Sequence, residues 1–207
     1  MLYPISPPIH TVTLAFTGAS GMPYGMRLLE CLLAAGKTVW LLYSPAAQVV
    51  AKQEMDFTLP SNAGQCAALL QARFQAAPAQ LRVFGKDEWF APPASGSNPA
   101  DAMVICPASM GVVAAIAAGT SDHLIERAAD VCLKERRPLI LVPRETPLSA
   151  IHLENMLKLA RLGACILPPA PGFYQHPQSV ADMVDFVVAR ILDQLHIEHS
   201  LLRKWGE

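Results

Sequence analysis

Several short stretches of this chain place small hydroxyl residues, glycines or a lone cation directly after apolar runs. The first is Thr17-Gly18-Ala19-Ser20-Gly21, which follows Val12-Thr13-Leu14-Ala15-Phe16. A buried strand that breaks into small residues and then opens a helix makes an anion site. The glycines let backbone N–H groups approach a phosphate, Ser20 adds a hydroxyl, and the helix N-terminus adds partial positive charge. The placement predicts a phosphorylated ligand at the carboxyl end of the first strand of an α/β sheet. The spacing is not Gly-x-Gly-x-x-Gly, because Ala19 and Ser20 follow Gly18, and no Gly-Lys-Ser/Thr follows as in a Walker loop. Taken alone, this loop also reads as a tight strand-to-helix turn without a ligand.

Other strand ends repeat the chemistry. The second strand ends in Tyr43-Ser44-Pro45, where a dinucleotide fold would place an acidic side chain for the adenosine ribose. A nicotinamide cofactor is therefore disfavoured, and a hydroxyl there suits a ribityl chain or a phosphate. Ser109-Met110-Gly111 is another small polar turn at a helix start, and Pro143-Arg144-Glu145-Thr146-Pro147 holds an Arg between fixed backbone positions. Small donors and one cation thus converge on one edge of the sheet.

The elements that must position them alternate along the chain. The apolar periodicity predicts a helix from Met22 to Ala35 with Gly36 as its cap, a strand over Lys37–Tyr43, and a helix opened by Ser44-Pro45 that runs through about Glu54. The irregular stretch 56–100 holds a helix (Ala63 to Phe74), a short strand (Leu81 to Phe84) and a Pro-rich loop, with Trp89-Phe90 expected to pack beneath it. Strands follow at Ala102–Cys106, Pro138–Val142 and Ala164–Leu167. Helices run to Ala118, from a Ser121 cap to about Arg136, from Leu148 to Leu162 ahead of Gly163, and from Ser179 to Leu195. Continuous apolar strands between helices imply a parallel sheet covered on both faces. One α/β domain spans 1–207, with an extension over 1–9 and a tail over 197–207 expected at a subunit interface.

The 207 residues are 52% hydrophobic and 16% charged, with a net charge of -1. So few charges leave apolar surface uncovered on a monomer, which predicts a homo-oligomer. The charge balance suggests neither a nucleic-acid nor an anionic-membrane partner. The five cysteines are odd in number and lack any Cys-x-x-Cys pair, which reads as buried free thiols. Charges, Pro or Gly interrupt every apolar run, so no membrane span is expected, nor a secretory leader, and the chain reads as cytosolic. His152 and His176 are isolated, His10 precedes a strand, and His196 and His199 are expected to be solvent-exposed on the tail; no metal site is suggested.

Thr17-Gly18-Ala19-Ser20-Gly21 with Tyr24-Gly25-x-Arg27, then Ser109-Met110, Arg144-Glu145-Thr146-Pro147 and Pro171-x-Phe173-Tyr174, resembles the UbiX-type flavin prenyltransferases from about Val12 to Trp205. The resemblance implies a flavodoxin-like (Rossmann-like) three-layer domain that assembles into a dodecamer. It implies an enzyme that joins the dimethylallyl group of dimethylallyl phosphate to reduced FMN, at N5 and C6. The prenylated FMN would serve a UbiD-type decarboxylase in routes such as ubiquinone biosynthesis, and no metal is implied. Gly18, Ala19, Ser20, Ser44, Ser109, Met110, Gly111, Val112 and Arg144 would contact FMN, and Tyr174 and Arg190 would bind dimethylallyl phosphate. Glu54, Arg127 and Lys134 match further charged active-site positions, some reaching across subunits. Glu145 is the candidate for acid/base work, Ser20 for proton relay, and Trp205 for shielding a developing allylic cation.

Each role has a plainer alternative. Ser109 reads as a helix N-cap, Lys134-Glu135-Arg136-Arg137 as a solvated helix end, Arg127 and Arg190 as surface ion pairs, and Trp205 as an interface anchor. Ala108 and Gly111-Val112 offer fewer side-chain donors than many relatives have, which leaves contacts there to the backbone. A cysteine-type flavoprotein decarboxylase is a rival reading, but Asn155-Met156 lacks the preceding Pro and following Trp of that signature. A non-catalytic FMN carrier would not need Lys134, Glu145, Tyr174 and Arg190 together.

Overall fold

Strands that are apolar on both faces must be covered on both faces, and the chain does this with helices between successive strands, except from β3 to β4, which are joined by an irregular segment with one short 3-10 turn. The computed structural model describes residues 8–202. Its strands are β1 (Thr11–Phe16), β2 (Thr38–Tyr43), β3 (Leu81–Phe84), β4 (Ala102–Ala108), β5 (Leu139–Pro143) and β6 (Cys165–Ile166). They pair in parallel in the order β3-β2-β1-β4-β5-β6. The helices are α1 (Met22–Ala34), α2 (Pro45–Met55), α3 (Ala63–Phe74), α4 (Met110–Ala118), α5 (Leu124–Lys134), α6 (Ala150–Arg161) and α7 (Val180–Gln194). This is the doubly wound three-layer fold expected from the alternating pattern.

The period-two side-chain alternation divides the core into two layers. Val12, Leu14 and Phe16 of β1, with Val39, Leu41, Val104 and Cys106, pack against α1, α2, α3 and α7. Ala15, Trp40, Leu42, Met103, Ile105 and Leu141 face α4, α5 and α6 on the other side. Helix α1 lies very close to the sheet. A Cβ on Gly25 would sit 2.4 Å from the Cys106 carbonyl oxygen and 2.8 Å from the Phe16 ring. Arg27, two residues further, binds Asp185 of α7 at 2.7 Å, so this arginine of the Tyr24-Gly25-x-Arg27 stretch joins two helices.

Some sequence expectations are corrected. Helix α5 begins at Leu124 with His123 as its N-cap, not with Ser121. The buried Glu126 carboxylate accepts the Asp122 N–H at 2.7 Å, and Leu124 donates to the Lys86 carbonyl, which together fix the preceding turn. The helix stops at Lys134, short of Arg136, which takes a positive φ of 54°. Trp89 and Phe90 do not pack beneath the irregular segment. They are exposed, Phe90 completely, because Phe84, Ala91 and Pro93 take the interior positions. With Leu153 and Leu157 on the outer side of α6, they form part of the uncovered apolar surface anticipated from composition.

Gly25→Ala drives a methyl group into the Cys106 carbonyl and the Phe16 ring. The expected cost is about 1–3 kcal/mol of stability, read as a lower midpoint in thermal or urea unfolding.

Candidate active site

The strand order reverses between β1, which leads outward to β2 and β3, and β4, which leads to β5 and β6. At such a switch point the loops leaving adjacent strands diverge, and a crevice opens at their carboxyl ends. Residues 17–21, 44, 109–112 and 144–145 all follow strand ends on this edge.

Thr17 ties the middle of the crevice together. It is wholly buried; its hydroxyl donates to the Pro107 carbonyl at 2.7 Å and accepts the Ser109 N–H at 2.7 Å. The next residue approaches α2, since a Cβ on Gly18 would lie 2.4 Å from Ala46 Cβ. The glycine therefore serves helix approach in the chain itself. Ser44 and Ser109 are helix N-caps, accepting from the Ala47 N–H at 3.2 Å and the Val112 N–H at 3.4 Å. The cap reading of Ser109 is correct, and it leaves the seryl group at the crevice. Gly111 has nothing within 4 Å of where a Cβ would stand, so the first turn of α4 is open on that side.

The start of α1 behaves differently from the anion site read off the sequence. Glu54, near the end of α2, accepts the Gly21 N–H at 2.9 and 3.1 Å and the Met22 N–H at 2.8 Å. Gly21 has no side chain to cap with, and the nearest carboxylate completes the positive end of the helix. Glu54 thus occupies the first amides of α1, whereas α2 and α4 start from serine caps. Ser20 lies half-buried beside this clamp, next to the buried Ala19.

Tyr24 belongs to the crevice and was missed as a site residue. Its ring packs against Gly21, where a Cβ would be 3.0 Å away. Burial pushes its phenol above the ordinary tyrosine value; the neighbouring Cys106 and Glu54 push the same way and the Arg144 guanidinium opposes. The group stays protonated at neutral pH and is available as a hydrogen-bond donor. Its signal in the sequence was its position three residues after Gly21, one turn along the same helix.

Arg144 and Glu145 are exposed just beyond β5, held to β4 by the Arg144 N–H on the Ala108 carbonyl at 3.3 Å. A second group lies around Phe186 of α7. The Tyr174 ring meets Phe186 edge-on at 5.7 Å, and Arg190, one turn along α7, lines a cavity of about 380 Å³ with Phe186, Ile166 and Leu167. Arg190 also donates to Asp193 at 2.5 Å, the ion pair anticipated as its plainer role.

Arg127 and Lys134 do not join either group. Arg127 donates to the Ala94 carbonyl at 3.0 Å and to Asp130 at 2.7 Å. Lys134 ends α5 shortly before β5 begins, on the amino edge of the sheet, where it pairs with Glu135. Trp205 lies outside the described residues. His199 departs from its expected exposure: its ring is largely buried and binds Asp193 at 3.1 Å, while His196 is exposed. Cys66, Cys106 and Cys132 are buried free thiols, Cys31 and Cys165 half-buried ones; burial pushes Cys66 up to about 11 and Cys132 to about 12. Among the described residues, no helix is long and apolar enough to cross a membrane.

A parallel six-stranded sheet with helices on both faces and a crevice at its switch point, flanked by Ser44, Ser109 and Arg144, defines a doubly wound α/β protein. The family model described as Flavoprotein matches residues 5–192. The chain is 59% identical over 196 residues to the flavin prenyltransferase UbiX of Pseudomonas aeruginosa, covering 95% of this chain and 94% of that protein. A crystal structure of AnUbiX (PadA1) in complex with FMN and dimethylallyl pyrophosphate matches with a TM-score of 0.85 and 40% identity, over 96% of this chain and 98% of that one. A dodecameric FMN-dependent Ubix-like decarboxylase from Escherichia coli O157:H7 matches with a TM-score of 0.84 and 40% identity, over 95% of this chain and all of that one. The chain belongs to the UbiX flavin prenyltransferases of the flavoprotein family.

Glu54→Ala removes the clamp on α1. A loss of about 1–2 kcal/mol is expected, measurable as a lower thermal midpoint, with the Gly21 and Met22 amides exchanging faster with deuterium.

Proposed function

We propose that this chain transfers the dimethylallyl group of dimethylallyl phosphate to N5 and C6 of reduced FMN, releasing phosphate and yielding prenylated FMN. The observation that carries the reading is the convergence of Ser44, Ser109, the open start of α4 and Arg144 on one crevice. This donor set fits FMN. Helix starts and hydroxyls suit a phosphate and ribityl chain, Arg144 adds a planar cation, and Tyr24 adds a phenolic donor. Gly18, Ala19, Ser20, Ser44, Ser109, Met110, Gly111, Val112 and Arg144 would hold the flavin, which when bound supplies the nucleophilic ring.

The chain's own residues do the rest. Tyr174 and Arg190 would bind the phosphate of the donor and stabilise the charge it gains on leaving. The apolar wall of Phe186, Ile166 and Leu167 keeps water from an allylic carbon that hydrolyses readily. Glu145, on the crevice rim, would take up or return a proton, with Ser20 as relay and Glu54 holding the turn that carries Ser20. Lys134, on the opposite edge of the sheet, would serve a neighbouring subunit's crevice, with Arg127 on the same helix and Trp205 closing the site.

The exposed apolar side chains of α6 and of residues 89–90 support an oligomer, for which a dodecamer is the model. The product would pass to a UbiD-type decarboxylase in the cytosol, with ubiquinone biosynthesis as one destination. Arg190 on a cavity walled by Phe186, Ile166 and Leu167, with Tyr174 on the same Phe186 ring, favours a transferase over an FMN carrier.

Anaerobic incubation with reduced FMN and dimethylallyl phosphate, followed by acid release and mass measurement, is expected to give a flavin heavier by one five-carbon prenyl unit. Unmodified FMN with both the phosphate and the pyrophosphate donor overturns the reading. Co-assembly supplies a second check: Lys134→Ala and Glu145→Gln, each inactive alone, are expected to regain part of the activity when mixed as subunits of one oligomer. No recovery would overturn a site shared between subunits through Lys134.

A further inference from the structure

Pro107 interrupts a central strand from within. It has no N–H to give to a ladder, and the β4–β5 pairing changes register between Ile105 and Ala108. The Pro107 carbonyl is buried, so it requires a partner outside the ladder. Thr17 provides that partner at 2.7 Å, and the same oxygen accepts the Ser109 N–H at 2.7 Å. A carbonyl only accepts and an amide only donates, so the single hydroxyl proton must point to Pro107 and a lone pair to Ser109. Thr17 exposes no surface, and solvent cannot stand in for it.

The position of this hydroxyl gives it a task. The β1–β4 ladder ends at the Ala15 and Ile105 pair, below the crevice. Thr17 directly precedes Gly18, Ala19 and Ser20, while Ser109 directly precedes Met110. Beyond the last ladder pair, the Thr17 bonds span from the loop after β1 to the loop after β4. We infer that Thr17 is a positioning residue that sets the spacing of these two loops and so the fit of the flavin between them. The inference rests on the flavin-binding reading above.

Thr17→Val keeps the side-chain shape and removes both bonds; Thr17→Ser keeps both bonds and loses one methyl group. FMN dissociation constants would be measured by flavin fluorescence quenching, alongside kcat, the KM for dimethylallyl phosphate at saturating FMN, and thermal midpoints. Thr17→Val is expected to weaken FMN binding at least about tenfold, with the donor KM changed less than about twofold. Thr17→Ser is expected to stay within about threefold of the unaltered chain. Equal FMN affinity in Thr17→Val and the unaltered chain overturns the role, as does an equal loss in both variants, which would make the methyl group the cause. If Thr17→Val does not fold, Thr17→Cys, with its weak donor and acceptor, takes its place in the comparison with Thr17→Ser. An unaltered chain that leaves FMN free in solution overturns the flavin reading, and this role with it.

Discussion

Burial of both faces of the parallel sheet is the constraint from which the rest of this molecule follows. Parallel neighbours cannot be joined by a tight hairpin, so each connection must cross back over a face, and here helices do so except from β3 to β4. Every crossover then begins at the same edge, and the carboxyl ends of β1, β2, β4 and β5 present their following residues together. The reversal of strand order between β1 and β4 parts two of those connections and makes room for a ligand. Chemistry gathers at that edge because helix starts carry unsatisfied N–H groups, and a soluble fold must satisfy or solvate each of them.

How those groups are satisfied distinguishes one helix start from another. At α1 the chain uses its own carboxylate, Glu54, and locks α1 and α2 together. At α2 and α4 the caps are serines, each accepting one amide N–H. Thr17 and Tyr24 occupy the space between, one as a hydroxyl that both donates and accepts and the other as a phenolic donor. Charge is similarly apportioned: Arg144 faces the crevice, whereas Arg127 is engaged by Ala94 and Asp130 and braces the irregular segment.

Lys134 ends α5 on the amino edge of the sheet, paired with Glu135. A single chain separates this lysine from Arg144 and Glu145 by the length of the sheet. Meanwhile the α6 surface and Phe90 leave apolar groups in water, a condition that subunit contacts relieve. One arrangement that buries these groups and brings a lysine to a neighbour's crevice would serve stability and the site together.

Much of this was legible in the residues themselves. Period-two and helical apolar patterns, Ser and Pro at helix starts and Gly past helix ends are local signals, and they located the elements to within a few residues. The small-residue turns at strand ends named the crevice for the same reason, since turn chemistry is local. The start of α5 was misplaced because it is set by the buried Glu126 carboxylate on the Asp122 N–H and by the Lys86 carbonyl, the latter far from Ser121 in sequence. Trp89 and Phe90 were read as core from their type, yet exposure depends on what else competes for the interior. Local patterning was enough to set the layers and the serine caps of α2, α4 and α7. Contacts in space set the His123 start of α5, the Glu54 clamp on α1, the Thr17 link between two loops some ninety residues apart, and the place of Lys134 on the far edge. Those outcomes depend on which unsatisfied donor or charge meets which partner in space, and residue spacing along the chain does not encode that meeting.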